Sequence, residues 1–169
     1  MSAALGSQAA QILATCRQRG FKLGFAESLT GGALCSAFVD VPGASDVVLG
    51  AVVAYATSVK QGVLGVDDTL ILDRGVVNAE AAEQMARGGI QVLGGSDSSE
   101  TSRLVVISTT GVAGPTEQDG ARVGTVFIAI ATDSDSVCSQ HAFEGDRAAI
   151  RAASVEAALD ELSKFLERT

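Results

Sequence analysis

Two apolar runs in the second half of the chain constrain its fold more than any other feature. LVVIS (Leu104–Ser108) and VGTVFIAIA (Val123–Ala131) carry apolar residues at successive positions rather than at alternate ones. Side chains of a strand point to its two faces in turn, so a strand of this kind must be covered on both faces. A third run, Val47–Ala56, has the same character. The sequence therefore predicts a central sheet buried between two layers of helices.

Helical and strand patterns alternate along the rest of the chain. The predicted helices are a first one ending near Gly20, Ala33–Val39, Thr57 to about Leu64, Ala79–Leu93 after the N-cap Asn78, and a last one after the N-cap Asp146. The further predicted strands are Phe21–Ala26 and Val137–Phe143, the second joined to its predecessor by a DSDS hairpin turn. Asp73–Gly75 is predicted as a turn and SDSSETS, residues 96–102, as a polar surface loop. We expect one three-layer α/β/α domain over residues 1–169, with a mixed, mostly parallel sheet.

Charge and composition argue against several classes of function. The formal net charge is −8 and the pI is about 4.5, and such a surface repels nucleic acids and anionic membranes. Three cysteines without a C-x-x-C pair indicate reduced thiols, which are typical of the cytoplasm. With one histidine in the chain, we expect no metal site. Neither a signal peptide nor a membrane-spanning run is expected.

The segment FAESLTGG places a serine and a threonine between an apolar strand and two glycines. If a helix begins near Leu29, the Ser28 hydroxyl can act as its N-cap, which is worth ~1 kcal/mol. Alternatively Ser28 is a nucleophile, because free amides at a helix start attract anions and can hold an oxyanion. Gly31 and Gly32 favour the nucleophile, since each costs a helix ~1 kcal/mol unless a ligand must approach the backbone closely. Both interpretations stay open at this point.

A serine nucleophile needs a base, and two residues are available. His141 lies in a strand-like run with no obvious acidic partner. In AYATSVKQG, Lys60 follows a strand predicted to be buried, and Tyr55 lies shortly before it. Desolvation can lower the pKa of a lysine until it accepts a proton near neutrality, and Ser–Lys pairs are a known catalytic arrangement. From its position alone, however, Lys60 is more simply interpreted as a solvated helix residue.

Two further segments are candidates for binding an anion. STTGVAGP follows a central strand and offers the hydroxyl of Thr110 and the backbone of Gly111, although it could also be an ordinary glycine-rich turn. Arg147 and Arg151 lie four residues apart at the start of the last helix. Positive charge there opposes the helix dipole by roughly a few tenths of a kcal/mol each. The misfit suggests a phosphate or carboxylate nearby, or pairing with an acid such as Glu144.

Taken in order, AESLTGG, VPGAS, AYATSVK, LGV, TGVAGP, VGTV and GDR resemble the CinA C-terminal domain family, the nicotinamide-nucleotide amidases. The resemblance extends from about Ala9 to Leu166. It implies hydrolysis of the carboxamide of nicotinamide mononucleotide, which gives nicotinate mononucleotide and ammonia. Together with the apolar surface of the helices it also implies a homodimer.

The resemblance implies roles for individual side chains. Ser28 would be the nucleophile and Lys60 its base, with Tyr55 as a proton relay. Thr30 and the amides after Ser28 would stabilise the oxyanion. The implied substrate-binding residues are Gly31, Gly32, Thr110, Gly111 and Arg147, of which Arg147 would hold the phosphate. Neither a metal nor another cofactor is implied.

Two segments depart from the family pattern. Ala56-Thr57 follow Tyr55 where the family has Ser-Asn, and TEQD (Thr116–Asp119) stands where the family has glycines. The second change puts carboxylates near a site for an anion, so a non-catalytic nucleotide-binding or regulatory domain is the alternative prediction. Glu27 could orient Lys60 or favour the start of the helix that follows. Larger family members carry an additional N-terminal domain, and its activities are not expected here.

Overall fold

The computed structural model describes residues 3–94 and 103–169, and the predicted loop SDSSETS lies outside them. None of the helices in these two ranges combines the length and apolarity that a membrane span requires. The elements, in chain order, are α1 (Ala3–Arg19), β1 (Lys22–Glu27), α2 (Ala33–Val39), a 3-10 turn (Ala44–Asp46), β2 (Val48–Val53), α3 (Thr57–Gly62), α4 (Asp68–Arg74), α5 (Ala79–Leu93), β3 (Leu104–Gly111), β4 (Thr125–Ala131), β5 (Ser136–Ala142) and α6 (Arg147–Arg168).

The strands of the described residues form one five-stranded sheet in the order β2-β1-β3-β4-β5. β1 pairs in parallel with β2 on one side and with β3 on the other. β4 runs antiparallel to both β3 and β5, so it alone among these strands points the opposite way. The predicted mixed sheet and the predicted hairpin between its last two strands are therefore confirmed.

Helices cover both faces of this sheet. On one face α1, α2 and α6 pack against β1, β3 and β4, and residues such as Val105 and Ile107 point into this cluster. On the other face α5 packs against the same strands, where Leu104 and Val106 point toward it. Successive residues of β3 thus enter two different cores, which explains its unbroken apolar sequence. The three-layer α/β/α architecture is confirmed.

The predicted strand Val47–Ala56 is wrong in two respects. β2 ends at Val53, and it forms one edge of the sheet rather than a strand covered on both faces. Its side chains are half-buried or exposed, and Val53 is 46% exposed. An apolar run shows that a segment can be buried, but whether the strand lies at an edge depends on pairing with strands elsewhere in the chain.

The predicted turn at Asp73–Gly75 is wrong in part, because Asp73 and Arg74 belong to the last turn of α4. The carboxylate of Asp67 accepts a hydrogen bond of 2.9 Å from the Leu70 amide and caps the start of this helix. Gly75, with φ 69°, forms its C-terminal cap. Only the glycine end of α4 was recognised from the sequence.

Candidate active site

A polar pocket of about 410 Å³ opens where the parallel strands β1, β2 and β3 end. Ser28 follows β1, Tyr55 follows β2, and Thr110 and Gly111 close β3, and all four residues line the pocket. Ligands of α/β sheets bind outside the carboxyl ends of the strands, and the volume lies in the range of small-molecule sites. The pocket is therefore the candidate functional site.

Ser28 is not the cap of a helix. α2 begins at Ala33, as predicted, and its N-cap is Gly32, so the helix start near Leu29 that the capping role of Ser28 required is not present. Gly31 and Gly32 have φ values of 63° and 93°, a left-handed backbone that cannot form part of a right-handed helix, so the helix starts only after them. Ser28 is the first residue of a turn that ends at Gly31.

Glu27 caps α2 instead. Its carboxylate accepts hydrogen bonds from the amides of Gly32 (2.8 Å), Leu34 (3.2 Å) and Cys35 (2.8 Å). Glu27 is fully buried, and three charge-assisted bonds at the positive end of a helix stabilise its charge there. Of the two roles expected for Glu27, these contacts favour the helix start.

Lys60 is buried, with 1% of its surface exposed, so its interpretation as a solvated helix residue is wrong. Its Nζ donates to the carbonyls of Ala54 (2.8 Å) and Tyr55 (3.1 Å). Burial lowers the pKa of Lys60 from 10.5 to about 8, and the charge of Asp119 opposes this shift. At pH 7 about a tenth of such lysines are neutral. Lys60 lines the same pocket as Ser28 and can accept a proton there.

Arg147 links three segments at the pocket wall. Its guanidinium donates to the Gly114 carbonyl (2.8 Å) and to the Tyr55 hydroxyl (2.7 Å). The side chain of Tyr55 is largely exposed and contacts Arg147 through its hydroxyl, whereas the contact of Tyr55 with Lys60 is made by the backbone carbonyl. No ion pair within residues 3–94 and 103–169 includes Arg147 or Arg151, so the alternative pairing with Glu144 is not observed.

The loop after β3 forms the opposite side of the pocket. The Thr110 hydroxyl is buried and donates to the Val76 carbonyl at 2.8 Å. Within the TEQD segment Glu117 lines the pocket, whereas the Asp119 carboxylate accepts from the Val76 amide at 2.9 Å. Only one of the two acids in that segment thus lines the pocket. No sequence signal indicates the contribution of Val76, because its part in the site is made by its backbone.

Thr30, Gly31 and Gly32 lie beside the pocket rather than in its wall. Thr30 is fully buried, and its hydroxyl lies 2.8 Å from that of Thr109 beneath the site. The Gly32 amide is bound by Glu27. Leu29, the residue after Ser28, does line the pocket, and sequence reasoning named its amide only as one of those after Ser28.

A second concavity, of about 450 Å³, lies between α5 and the turn that joins β4 to β5. It contains Arg87 and Asp133, but none of the described residues that line it is a serine, cysteine or lysine. Its described lining therefore lacks a serine–lysine pair like that of the first pocket. The described residues also hold no group of three His, Cys, Asp or Glu side chains that could bind a metal ion.

The fold and the pocket define a three-layer α/β domain whose site lies at the carboxyl ends of its parallel strands. The family model of the CinA C-terminal domain matches residues 6–166, and the chain belongs to this family. A CinA-like protein of Frankia casuarinae is 39% identical over 155 residues, which cover 92% of this chain and 34% of that protein. The chain thus spans about a third of the length of the curated relatives it matches.

Solved structures show the same fold. The structure of a competence-damaged protein (CinA) superfamily protein from Klebsiella pneumoniae superimposes with a TM-score of 0.89 at 25% identity, covering 98% of this chain and 99% of that one. The competence/damage inducible protein CihA from Agrobacterium tumefaciens gives a TM-score of 0.87 at 26% identity, covering 99% and 98%.

Proposed function

We propose that the protein is an amidase that converts nicotinamide mononucleotide into nicotinate mononucleotide and ammonia. One observation carries this proposal: Ser28 and a buried lysine with a pKa of about 8 line the same pocket. A hydroxyl becomes a useful nucleophile when a nearby base can take its proton, and a lysine serves only when it loses its own proton readily. Membership of the CinA C-terminal domain family supports the choice of substrate.

The reaction runs in two halves. The Ser28 Oγ attacks the carboxamide carbon while the neutral Lys60 Nζ takes the hydroxyl proton, and the carbonyl oxygen becomes an oxyanion that the Leu29 amide can stabilise. When the C–N bond breaks, Lys60 gives the proton to the leaving nitrogen, and ammonia departs from an ester on Ser28. Water then attacks the ester as Lys60 takes its proton. Return of this proton to Ser28 Oγ releases the carboxylic acid, which loses its proton to the solvent and leaves as the carboxylate.

Arg147 is the group we assign to the substrate phosphate. Its guanidinium has five N–H donors, and the contacts with Gly114 and Tyr55 use two of them. The remaining donors can bind phosphate oxygens, while Tyr55 holds the side chain in place. We therefore propose that Tyr55 contributes mainly by orienting Arg147, a role different from the proton relay that the family resemblance implies.

The test is an assay of ammonia released from nicotinamide mononucleotide. The wild type should release ammonia, and Ser28→Ala and Lys60→Met should abolish release, because one removes the nucleophile and the other its base. Ser163→Ala, which lies on α6 outside the pocket, is the matched serine control and should retain full activity. Absence of release by the wild type, or undiminished release by Ser28→Ala, would refute the proposal.

One observation favours a second candidate, a nucleotide-binding domain without turnover. Glu117 lines the pocket, and its carboxylate would repel a bound phosphate. Calorimetry with the same nucleotide separates the two candidates, because binding without any release of ammonia would identify the binder. Glu117→Gln should then tighten binding in either case.

Assembly and location remain predictions. Exposed apolar side chains at Val39, Val53 and Leu72 are compatible with a homodimer, and light scattering of the purified protein would measure its mass. A cytoplasmic location is expected from the unpaired cysteines, which the structure describes as free thiols. Fractionation of cells that express the tagged protein would test it.

A further inference from the structure

The turn that carries Ser28 is held from outside by an arginine of α6. The amide of Gly31 donates to the Ser28 carbonyl at 3.1 Å, which closes a β-turn over residues 28–31, called here the nucleophile turn. Arg151 donates from Nε to the Leu29 carbonyl (2.9 Å) and from a terminal nitrogen to the Thr30 carbonyl (2.8 Å). These contacts join residues more than 120 positions apart.

The two carbonyls that Arg151 binds belong to the peptide units that set the shape of the turn. In a β-turn the central peptide, here between Leu29 and Thr30, is the one whose flip interconverts the common turn types. Carbonyl and amide of a trans peptide point in opposite directions, so holding the carbonyl of Leu29 also fixes the direction of the Thr30 amide. The flipped turn would require a positive φ at Thr30, and Thr30 does not have one.

Arg151 itself does not line the pocket, so it is placed to act on the turn rather than on a ligand. A guanidinium matches two neighbouring carbonyls better than an ammonium does, because its donors are planar and fixed in direction. A Cβ added at Gly31 would lie 3.4 Å from the Arg151 guanidinium, an ordinary contact, so the glycine is explained by its φ of 63° and not by the arginine. These contacts also account for a positive charge at a helix start that the dipole disfavours.

We propose that Arg151 is a positioning residue, which keeps the nucleophile turn in the one conformation that presents the Ser28 hydroxyl and the Leu29 amide to the substrate. The inference rests on the proposed amidase function. Small displacements of reacting groups reduce rates steeply, by ~10²-fold for about 1 Å. Loss of Arg151 should therefore slow bond formation at Ser28 and leave substrate affinity nearly unchanged.

The test compares Arg151→Gln and Arg151→Lys with the wild type, and Arg168→Gln serves as the control on the same helix. Arg168 donates to its own helix at the Lys164 carbonyl and lies outside the pocket. Two rates are measured: ammonia release from nicotinamide mononucleotide, and covalent modification of Ser28 by a fluorophosphonate, followed by mass spectrometry. The second needs no assumption about the natural substrate. Circular dichroism establishes that each variant is folded.

Arg151→Gln should lower kcat and the rate of Ser28 modification roughly 10- to 100-fold, with KM little changed. Arg151→Lys should show rates between those of Arg151→Gln and the wild type. If Arg151→Gln does not fold, Arg151→Lys is compared with the wild type instead. A folded Arg151→Gln that is modified at the wild-type rate, or whose KM rises at constant kcat, would overturn the inference.

The two measured rates distinguish failure of the amidase proposal from failure of the proposed role of Arg151. A wild type that is modified at Ser28 but releases no ammonia refutes the proposed substrate, and the modification rates still decide the role of Arg151. A wild type that does neither has no activated serine to position, and both proposals are then overturned.

Discussion

Replacing Lys60 with methionine should change how the stability of the protein depends on pH. Burial lowers the pKa of Lys60 from 10.5 to about 8 in the folded protein. Since one pKa unit corresponds to ~1.36 kcal/mol, keeping this lysine charged inside the fold at neutral pH costs about 3 kcal/mol. Methionine has a similar length and no charge, so the variant does not carry this cost.

The sign of this pH dependence follows from the number of protons that Lys60 holds in the folded and the unfolded state. Between about pH 8 and 10.5 the unfolded chain still holds the Lys60 proton while the folded protein has released it, so the free energy of unfolding rises with pH in this window. We expect the wild type to gain about 3 kcal/mol relative to Lys60→Met from neutral pH to the top of the window. The lost bonds to the Ala54 and Tyr55 carbonyls shift the difference by an amount that is nearly independent of pH.

Urea unfolding followed by circular dichroism, at several pH values across this window, measures the difference. Lys164→Met is the control, because the side chain of Lys164 is 63% exposed and its loss removes an ammonium from the surface. A difference between wild type and Lys60→Met that stays flat with pH, or falls, would contradict the assignment of Lys60 as a buried lysine that loses its proton readily.

Three further predictions concern the same region. In the amidase assay kcat/KM should rise with pH with an apparent pKa of about 8, because only neutral Lys60 accepts the serine proton. A kcat/KM that falls as the pH rises through 8 would exclude Lys60 as the base. Asp119→Asn should move that apparent pKa downward, because the Asp119 charge raises the pKa of Lys60, while the amide oxygen can still accept from Val76. Glu27→Gln should lower the free energy of unfolding, measured with urea, by about 2 kcal/mol, because one amide oxygen cannot replace two carboxylate oxygens that bind three amides. An unchanged unfolding midpoint would show that α2 does not need this cap.

The elements that could be predicted are those that a local sequence pattern determines. Continuous apolar runs predicted β3 and β4 as strands covered on both faces. The helix α5 was predicted with its observed bounds, directly after its cap Asn78. The position of β2 at the edge was not predictable, because the order of strands depends on distant pairing. α4 was missed because its apolar residues, 70–72, are consecutive and lack the three- or four-residue spacing of a helix face, and Leu72 is in fact 84% exposed.

The candidate site shows the same limit. Ser28, Lys60 and Arg147 were selected as residue types suited to chemistry, and they line one pocket. The residues that act on this site from a distance in sequence were not evident. The charge of Asp119 raises the pKa of Lys60, and Arg151 of α6 binds the carbonyls of Leu29 and Thr30. The left-handed backbone of Gly31 and Gly32 requires glycine by itself, and close approach of a ligand to them stays a prediction.

The contacts of α6 also bear on the order of events during protein synthesis. Arg147 meets a tyrosine 92 positions earlier, and Arg151 holds the Thr30 carbonyl 121 positions earlier. A ribosome releases Ser28 and Lys60 long before it has made these arginines. On the proposed roles, a nascent chain already exposes its serine and its lysine but cannot yet bind a phosphate or hold the serine in place. The proposed site is therefore complete only once α6 has packed against the strands that carry its other residues.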